Sequence, residues 1–150
     1  MILIDDLGLT DLQAFGGEID TPNMDALANE GMMFTNYHTT SECAPSRAML
    51  LTGMDNHNTG LPMIPEVLPW KYHDTPGYEG YLRDDALTIA EMLKPAGYKT
   101  YMTGKWHLAF GGRETAALPH NRGFDKTFIL DATGGNNFNH HSYLPYYSES

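Results

Sequence analysis

The sequence predicts an α/β fold with a mainly parallel sheet flanked by helices, and two observations lead to this prediction. Short apolar runs of strand length alternate with stretches in which apolar residues recur at helical spacing. Each of the first three predicted strands also leads to polar side chains, and ligands of parallel sheets collect at the carboxyl ends of the strands. The 150 residues are 41% hydrophobic and 19% charged, which suits one domain with a core. No repeat or second domain boundary is visible, so residues 1–150 are interpreted as part of a single domain.

The composition excludes several classes of protein. The net charge of −10 comes from 19 acidic and 9 basic residues without a Lys/Arg cluster, which argues against a nucleic-acid partner. No apolar run approaches the roughly 20 residues that span a bilayer, and the first residues lack the regions of a signal peptide. The cellular location stays open, and a periplasmic or secreted full-length protein is compatible with these residues. A single cysteine excludes an internal disulfide.

Both ends of the sequence look like cut points. Met1 opens directly into what reads as a buried strand, Ile2–Ile4, and the last residues form a polar, aromatic stretch without a closing element. We therefore expect an N-terminal portion of a longer domain, incomplete at the C-terminus and trimmed at the N-terminus.

The first predicted strand, Ile2–Ile4, ends at two adjacent carboxylates, Asp5 and Asp6. Neighbouring carboxylates repel each other, so one of them would take up a proton unless a cation compensates. A hard divalent ion such as Ca²⁺ or Mg²⁺ prefers oxygen ligands and would provide this compensation. The alternative is a solvated Asp-Asp turn.

The next elements lead to the only cysteine. Thr21–Pro22 predicts the start of a helix that Gly31 ends, and Met32–Tyr37 predicts the second strand. Pro45 predicts that a second helix begins near Cys43, where backbone N–H groups and the helix dipole favour negative charge. Arg47 adds a cation on nearly the same face as Cys43. The alternative for Cys43 is a buried structural residue.

The second half of the chain begins with a long loop, residues 52–81, of the kind that often lines a site. Asp84–Asp85 predicts the cap of a third helix, and Tyr98–Thr103 predicts a third strand that leads to Lys105 and His107. These two lie on the same side of an extended segment. The last predicted elements are a strand, Lys126–Leu130, and a loop at Gly134–Asn137.

Three strand ends therefore carry chemically capable side chains, and in a parallel sheet these ends share one edge. A core cysteine or a solvated turn would not predict such convergence. We expect one cleft that combines the side chains of Asp5, Asp6, Cys43, Arg47, Lys105 and His107.

The segments that contain these residues resemble type I sulfatases, the formylglycine-dependent enzymes of the alkaline-phosphatase-like superfamily, and most closely bacterial arylsulfatases. The resemblance rests on Cys43-Ala44-Pro45-Ser46-Arg47 with Thr52-Gly53, on Asp5-Asp6-Leu7-Gly8, on Thr21 to Leu27, and on Gly104-Lys105-Trp106-His107-Leu108. It spans nearly the whole chain. It implies an alkaline-phosphatase-like fold and the N-terminal part of a sulfatase catalytic domain.

The resemblance also implies roles for residues. Cys43, converted to Cα-formylglycine by a maturation enzyme, would be the nucleophile and a metal ligand together with Asp5 and Asp6. The metal would be calcium ahead of magnesium. Arg47, Lys105 and His107 would hold the aldehyde hydrate and the sulfate of a small-molecule sulfate ester.

The aldehyde hydrate explains why a cysteine alone would not be sufficient. One of its two hydroxyls attacks sulfur and expels the alcohol or phenol. A base such as His107 deprotonates the other, the aldehyde re-forms and sulfate leaves.

Three alternatives stay open. One is a phosphate or phosphonate monoester hydrolase of the same superfamily, since both substrates are tetrahedral oxyanions. Another is a non-catalytic module, because the family's further metal ligands, His and Lys lie beyond these residues and His140 and His141 read as loop. A thiol or redox enzyme is the third, although it lacks a second cysteine.

Overall fold

The computed structural model describes residues 1–73, 75–110 and 114–131, together with the backbone of residues 146–148. These residues form the helices α1 (Pro22–Glu30), α2 (Cys43–Thr52) and α3 (Ile89–Leu93) and the strands β1 (Tyr101–Lys105), β2 (Lys126–Leu130) and β3 (Tyr146–Ser148). Short 3₁₀ turns occur in the connections, at Leu9–Asp11, Gln13–Phe15, His57–Thr59, Pro65–Val67, Trp70–Tyr72, Lys94–Ala96, Thr115–Ala117 and Pro119–Asn121. The chain divides into two compact units, Met1–Thr39 and Thr40–Ser150.

The first unit is built on α1. Pro22 opens this helix, and the N–H of Gly31 donates to the carbonyl of Leu27 (2.9 Å) at its end. Asp25 joins the helix to the preceding turn, since its Oδ1 accepts from the N–H of Ala14 (3.0 Å) and from the hydroxyl of Thr21 (3.2 Å). The predicted helix is confirmed.

The two strands predicted in the first unit, Ile2–Ile4 and Met32–Tyr37, are wrong. Both segments are irregular, and their apolar side chains are exposed, from 40% at Ile4 to 84% at Ile2. A strand depends on hydrogen bonds to a neighbouring strand, and no described segment of the first unit pairs with either stretch. Of the three predicted strands that lead to site residues, only the one before Lys105 and His107 is present among the described residues.

The second unit contains the sheet. β1 and β2 are parallel, in a register that runs from Tyr101 opposite Lys126 to Lys105 opposite Leu130. β3 pairs with β2 in the antiparallel direction. The α/β class is therefore confirmed. The predicted strand Lys126–Leu130 has the expected bounds, whereas β1 begins later than predicted.

The starts of β1 and β2 are joined by Thr100 and Asp125. The N–H of Thr100 donates to the Asp125 carboxylate (3.0 Å), and the N–H of Asp125 donates to the carbonyl of Thr100 (2.7 Å). Nζ of Lys94 lies 3.0 Å from the other oxygen of this carboxylate. These contacts set the register of the parallel pair at its first residues.

Thr88 is the N-cap of helix α3, so the prediction of an Asp84–Asp85 cap is wrong. Oγ1 of Thr88 accepts from the N–H of Glu91 (3.2 Å), and the Glu91 carboxylate accepts from the N–H of Thr88 (2.7 Å). This reciprocal capping box satisfies two N–H groups at the helix start. Asp84 and Asp85 form a turn before it, in which Asp85 pairs with Arg83.

Arg122 is the polar centre of the second unit. Its side chain is 2% exposed, and its guanidinium donates to the carbonyls of Leu82 (3.2 Å), Arg83 (3.0 Å) and Ala86 (2.6 Å). It also pairs with Glu91 at 3.3 Å. A guanidinium has five N–H donors in a rigid, planar arrangement and can bind several carbonyls at once. The Arg122 side chain therefore stabilises the turn before α3.

The apolar core of the second unit joins α2 to the sheet and to the segments around it. It consists of Ala44, Ala48, Leu51, Leu61, Leu82, Ala86, Trp106, Leu108, Ala109, Ala117, Leu118 and Ile129. Trp106 is fully buried, and its indole N–H donates to the carbonyl of Ala117 (2.9 Å). No helix in the described part of the chain has the length and hydropathy that a membrane crossing requires.

Candidate active site

Cys43 is the first residue of α2, as the sequence predicted. Glu42 precedes it in extended conformation, Pro45 lies buried in the first turn, and Gly53 ends the helix with a left-handed φ of 71°. Burial of Ala44 and Ala48 holds one face of the helix against the core, while Cys43 itself is half-buried. The side chain at position 43 therefore sits at the positive end of an anchored helix.

His107 lies against this cysteine. The Sγ atom of Cys43 is 3.3 Å from Nδ1 of His107, although 64 positions separate the two residues along the chain. The imidazole is fully buried. The structure thus brings together the predicted nucleophile and the predicted base.

The backbone around His107 is held in an unusual conformation. His107 has a φ of 64°, a left-handed value that is uncommon outside glycine. The carboxylate of Asp131 accepts from the next two N–H groups, those of Leu108 (2.9 Å) and Ala109 (3.2 Å). On the other side, the N–H of Trp106 donates to the carbonyl of Leu130 (2.8 Å). The end of β2 therefore fixes the backbone on both sides of the imidazole, and the expectation of an extended segment does not apply at His107.

Arg47 and Lys105 are also brought together. Arg47 is 6% exposed, and its Nη1 donates to the backbone carbonyl of Lys105 over 2.7 Å. Lys105 is half-buried at the last position of β1. A buried cation on α2 is thus fixed against the strand that leads to His107.

Two further residues, which the sequence analysis did not single out, belong to this site. Glu66 lies on the turn Pro65–Val67, and its Oε2 is 3.1 Å from Nε2 of His107. Asp131 follows β2 directly, so the rule about strand ends that was applied to the other site residues could have identified it. No sequence signal marks Glu66, which stands in an irregular, Pro-rich loop.

Asp5 and Asp6, the predicted metal ligands, lie in the first unit. They form a turn in which Asp6 has a φ of 53° and Asp5 is half-buried. Within the described residues, no group of three or more His, Cys, Asp or Glu side chains is arranged to hold a metal ion. The metal-site assignment therefore stays a prediction.

The long loop packs on itself through its rings. His57 meets Tyr78 edge-on at 5.2 Å between ring centroids, and His73 lies 4.7 Å from Trp70. The predicted loop at Gly134–Asn137 and the pair His140 and His141 lie outside the described residues.

The arrangement in the second unit suits attack on an anionic ester. The half-buried side chain of Cys43 has a buried imidazole at hydrogen-bond distance. Cys43 also lies at the N-terminus of the helix that carries the Arg47 cation. Donors and cations that are fixed before the reaction stabilise developing negative charge without reorganisation.

Comparisons with known proteins show what this chain is similar to. The family model described as Sulfatase matches residues 1–150. The chain is 47% identical over 141 residues to an uncharacterized sulfatase of Schizosaccharomyces pombe, covering 92% of this chain and 25% of that protein. It is 44% identical over 142 residues to an arylsulfatase of Klebsiella aerogenes, covering 93% and 29%.

Human arylsulfatase A is 43% identical over 128 residues, which is 84% of this chain and 24% of that protein. A solved structure, that of Ps i-CgsB in complex with k-i-k-neocarrahexaose, superimposes with a TM-score of 0.60 at 32% identity, over 83% of this chain and 26% of that one. The chain thus spans between a quarter and a third of the length of the first two relatives.

Proposed function

Because this chain belongs to the sulfatase family, we propose that the protein hydrolyses sulfate esters, with residue 43 as nucleophile and an aryl sulfate as substrate. The observation that carries the proposal is the 3.3 Å contact between Cys43 Sγ and His107 Nδ1. This contact supports a nucleophile and base pair, because proton transfer requires this kind of distance.

Residue 43 is proposed to act as Cα-formylglycine. Its oxygen would replace Sγ on the same carbon, so the Sγ position marks where an oxygen would meet Nδ1 of His107. The modification would supply a geminal diol: one hydroxyl would displace the phenol from sulfur, and deprotonation of the other would re-form the aldehyde as the C–O bond to the sulfate breaks. In this scheme His107 takes that proton, and Arg47 and Lys105 offset negative charge at the site.

The proposal retains Asp5, Asp6 and residue 43 as metal ligands on the resemblance of their sequence segments. The donor set fits a hard cation, since adjacent carboxylates offer only oxygen and repel each other without one. Calcium is preferred to magnesium because it accepts larger and less regular oxygen shells. When bound, the ion would act as a Lewis acid toward the nucleophile and the sulfate.

The direct test uses the full-length protein, produced with and without a formylglycine-generating maturation enzyme. Labelling by a carbonyl reagent, read by peptide mass spectrometry, reports the aldehyde at position 43, and thiol alkylation reports unmodified Cys43. The activity is then compared on 4-nitrophenyl sulfate and 4-nitrophenyl phosphate.

We expect activity to rise with the aldehyde fraction and kcat/KM to be higher for the sulfate. A preference for the phosphate would favour a phosphate monoester hydrolase. Inactivity of the fully modified, metal-supplied protein on both esters would favour a non-catalytic role.

A further inference from the structure

We propose that Glu66 is a positioning residue for the sulfatase reaction, and that it fixes the tautomer and the orientation of His107. The inference rests on the proposed function, because it assigns a partner to the base that the function requires. Cys43, His107 and Glu66 contact one another in a row. Sγ of Cys43 lies 3.3 Å from Nδ1 of His107, and Nε2 of the same imidazole lies 3.1 Å from Oε2 of Glu66. His107 is fully buried between them, and the Glu66 side chain is 40% exposed.

The hydrogen-bond chemistry fixes which ring nitrogen carries the proton. An ionised carboxylate only accepts hydrogen bonds, so Nε2 of His107 donates to Glu66. A neutral imidazole has one N–H, and Nδ1 is then left with its lone pair directed at the side chain of residue 43. This is the tautomer that can receive a proton from a hydroxyl at position 43.

The backbone contacts around His107 do not by themselves fix the orientation of its ring. Asp131 fixes the N–H groups after His107, but rotation about the side-chain bonds of His107 is controlled by the groups that its ring meets. Glu66 meets the ring at the nitrogen farther from Cys43, where it opposes a flip that would exchange the ring atoms. A carboxylate that orients a histidine in this way is a recurrent device for holding a base in one tautomer.

Glu66 is itself tied to the start of α2. The turn that carries it, Pro65–Val67, follows Ile64, whose backbone N–H donates to the carboxylate of Glu42. Glu42 is the residue immediately before Cys43. The positions of the nucleophile and of the group that orients its base are therefore linked by one hydrogen bond.

The test uses the full-length protein carrying the aldehyde, with Glu66→Ala, Glu66→Gln and the exposed control Glu30→Gln. For Glu66→Ala we expect kcat on 4-nitrophenyl sulfate to fall about 10- to 100-fold and KM to fall with it, because slower release of the covalently bound sulfate lowers both parameters. The proposed reaction releases sulfate by deprotonation at residue 43, so the slowed variant should accumulate enzyme with sulfate covalently bound there. Intact-protein mass spectrometry after rapid acid quenching detects this species.

The Glu66→Gln variant keeps the side-chain volume of Glu66 and changes only its hydrogen-bonding groups. The amide of Gln can donate to Nε2 as well as accept from it, so it no longer fixes the tautomer; we expect Glu66→Gln to stay well below the wild-type kcat, and Glu30→Gln to match the wild type. A Glu66→Ala enzyme with wild-type kcat, or one that loses activity only through a higher KM without the sulfated species, overturns the positioning role.

The aldehyde content of each variant is measured beside its activity, so that incomplete maturation is not mistaken for a loss of kcat. The two proposals also fail separately. If the modified wild-type protein does not hydrolyse the sulfate ester, the proposed function fails. If the wild type is active and Glu66→Ala is unchanged, only the positioning role fails.

Discussion

Arg47 and Lys105 are joined by a hydrogen bond of 2.7 Å from a buried guanidinium nitrogen to a backbone carbonyl, across 58 positions of sequence. The bond fastens the helix that begins at Cys43 to the strand that leads to His107. It involves the main chain of Lys105, so a substitution of the lysine side chain would leave it in place. The same arginine therefore has a structural role beside the electrostatic role proposed for it at the site.

Replacement of Arg47 by Ala should affect both roles. The loss of a charge-assisted hydrogen bond in a buried position predicts a fall in the free energy of unfolding of about 1.5–3 kcal/mol. Loss of the cation near the reacting anion predicts a fall in kcat/KM of about 100-fold or more. Denaturant unfolding and steady-state kinetics of the full-length protein measure the two effects.

Arg47→Lys is the matched variant for that experiment. Lysine keeps the positive charge but lacks the planar guanidinium group, so we expect this variant to recover part of the stability and little of the activity. Near wild-type kcat/KM for Arg47→Ala would contradict the proposed role in stabilising negative charge.

Replacement of Cys43 by Ser should stop multiple turnover. A serine hydroxyl can attack sulfur, but it lacks the second hydroxyl whose deprotonation would release the sulfate. We expect either an inactive protein or one that gains the mass of one SO3 unit at position 43, measured by intact-protein mass spectrometry. Cys43→Ala should show neither turnover nor the added mass, and sustained turnover by Cys43→Ser would refute the proposed chemistry.

Replacement of Arg122 by Ala should lower stability without a specific effect on the reaction. The change would leave three carbonyls and Glu91 without the guanidinium that they now share, which predicts a loss of about 3 kcal/mol or more in the free energy of unfolding. KM for the sulfate ester should stay close to wild type in the fraction that remains folded. Urea unfolding of the full-length protein provides the measurement, and an unchanged unfolding midpoint would contradict this role of Arg122.

The pH dependence of stability should include a contribution from Asp125. The Thr100 N–H, and after it Lys94, lower the pKa of this carboxyl below its ordinary value. A lowered native pKa stabilises the fold above the unfolded pKa of about 4, and this contribution is lost as the pH falls through the native value.

Asp125→Asn should therefore be less stable than the wild type at neutral pH, and the difference should shrink below about pH 4. Thermal unfolding of both proteins between about pH 7 and about pH 2 measures it. Lys94→Ala should reproduce a smaller part of the difference, and a gap that stays constant down to the lowest pH would contradict the assignment.

The local signals in the sequence predicted the second unit better than the first. Pro45 and Gly53 bound a helix through their own backbone preferences, so α2 could be predicted from a few residues. The run Ile2–Ile4 has strand composition, but a strand also needs a partner, and no property of these residues identifies one. Composition alone therefore predicted two strands that are not present among the described residues.

Side chains of the candidate site were predictable where a motif or a strand end marked them. Cys43, Arg47, Lys105 and His107 all belong to such segments, and the structure brings them together in two pairs. Glu66 was missed because its role depends on where an irregular loop places one carboxylate. Loop geometry of this kind follows from tertiary contacts, which a single sequence does not show.

The bonds from Trp106 to Leu130 and from Asp131 to the residues after His107 also have a consequence for local opening of the molecule. The amide protons of Trp106, Leu108 and Ala109 are all donated to the last residue of β2 or to the residue that follows it. In hydrogen exchange, their protection should therefore follow that of the β1 and β2 amides, as members of one cooperative unit. Opening of the sheet at this end would therefore release the backbone that holds the imidazole against position 43.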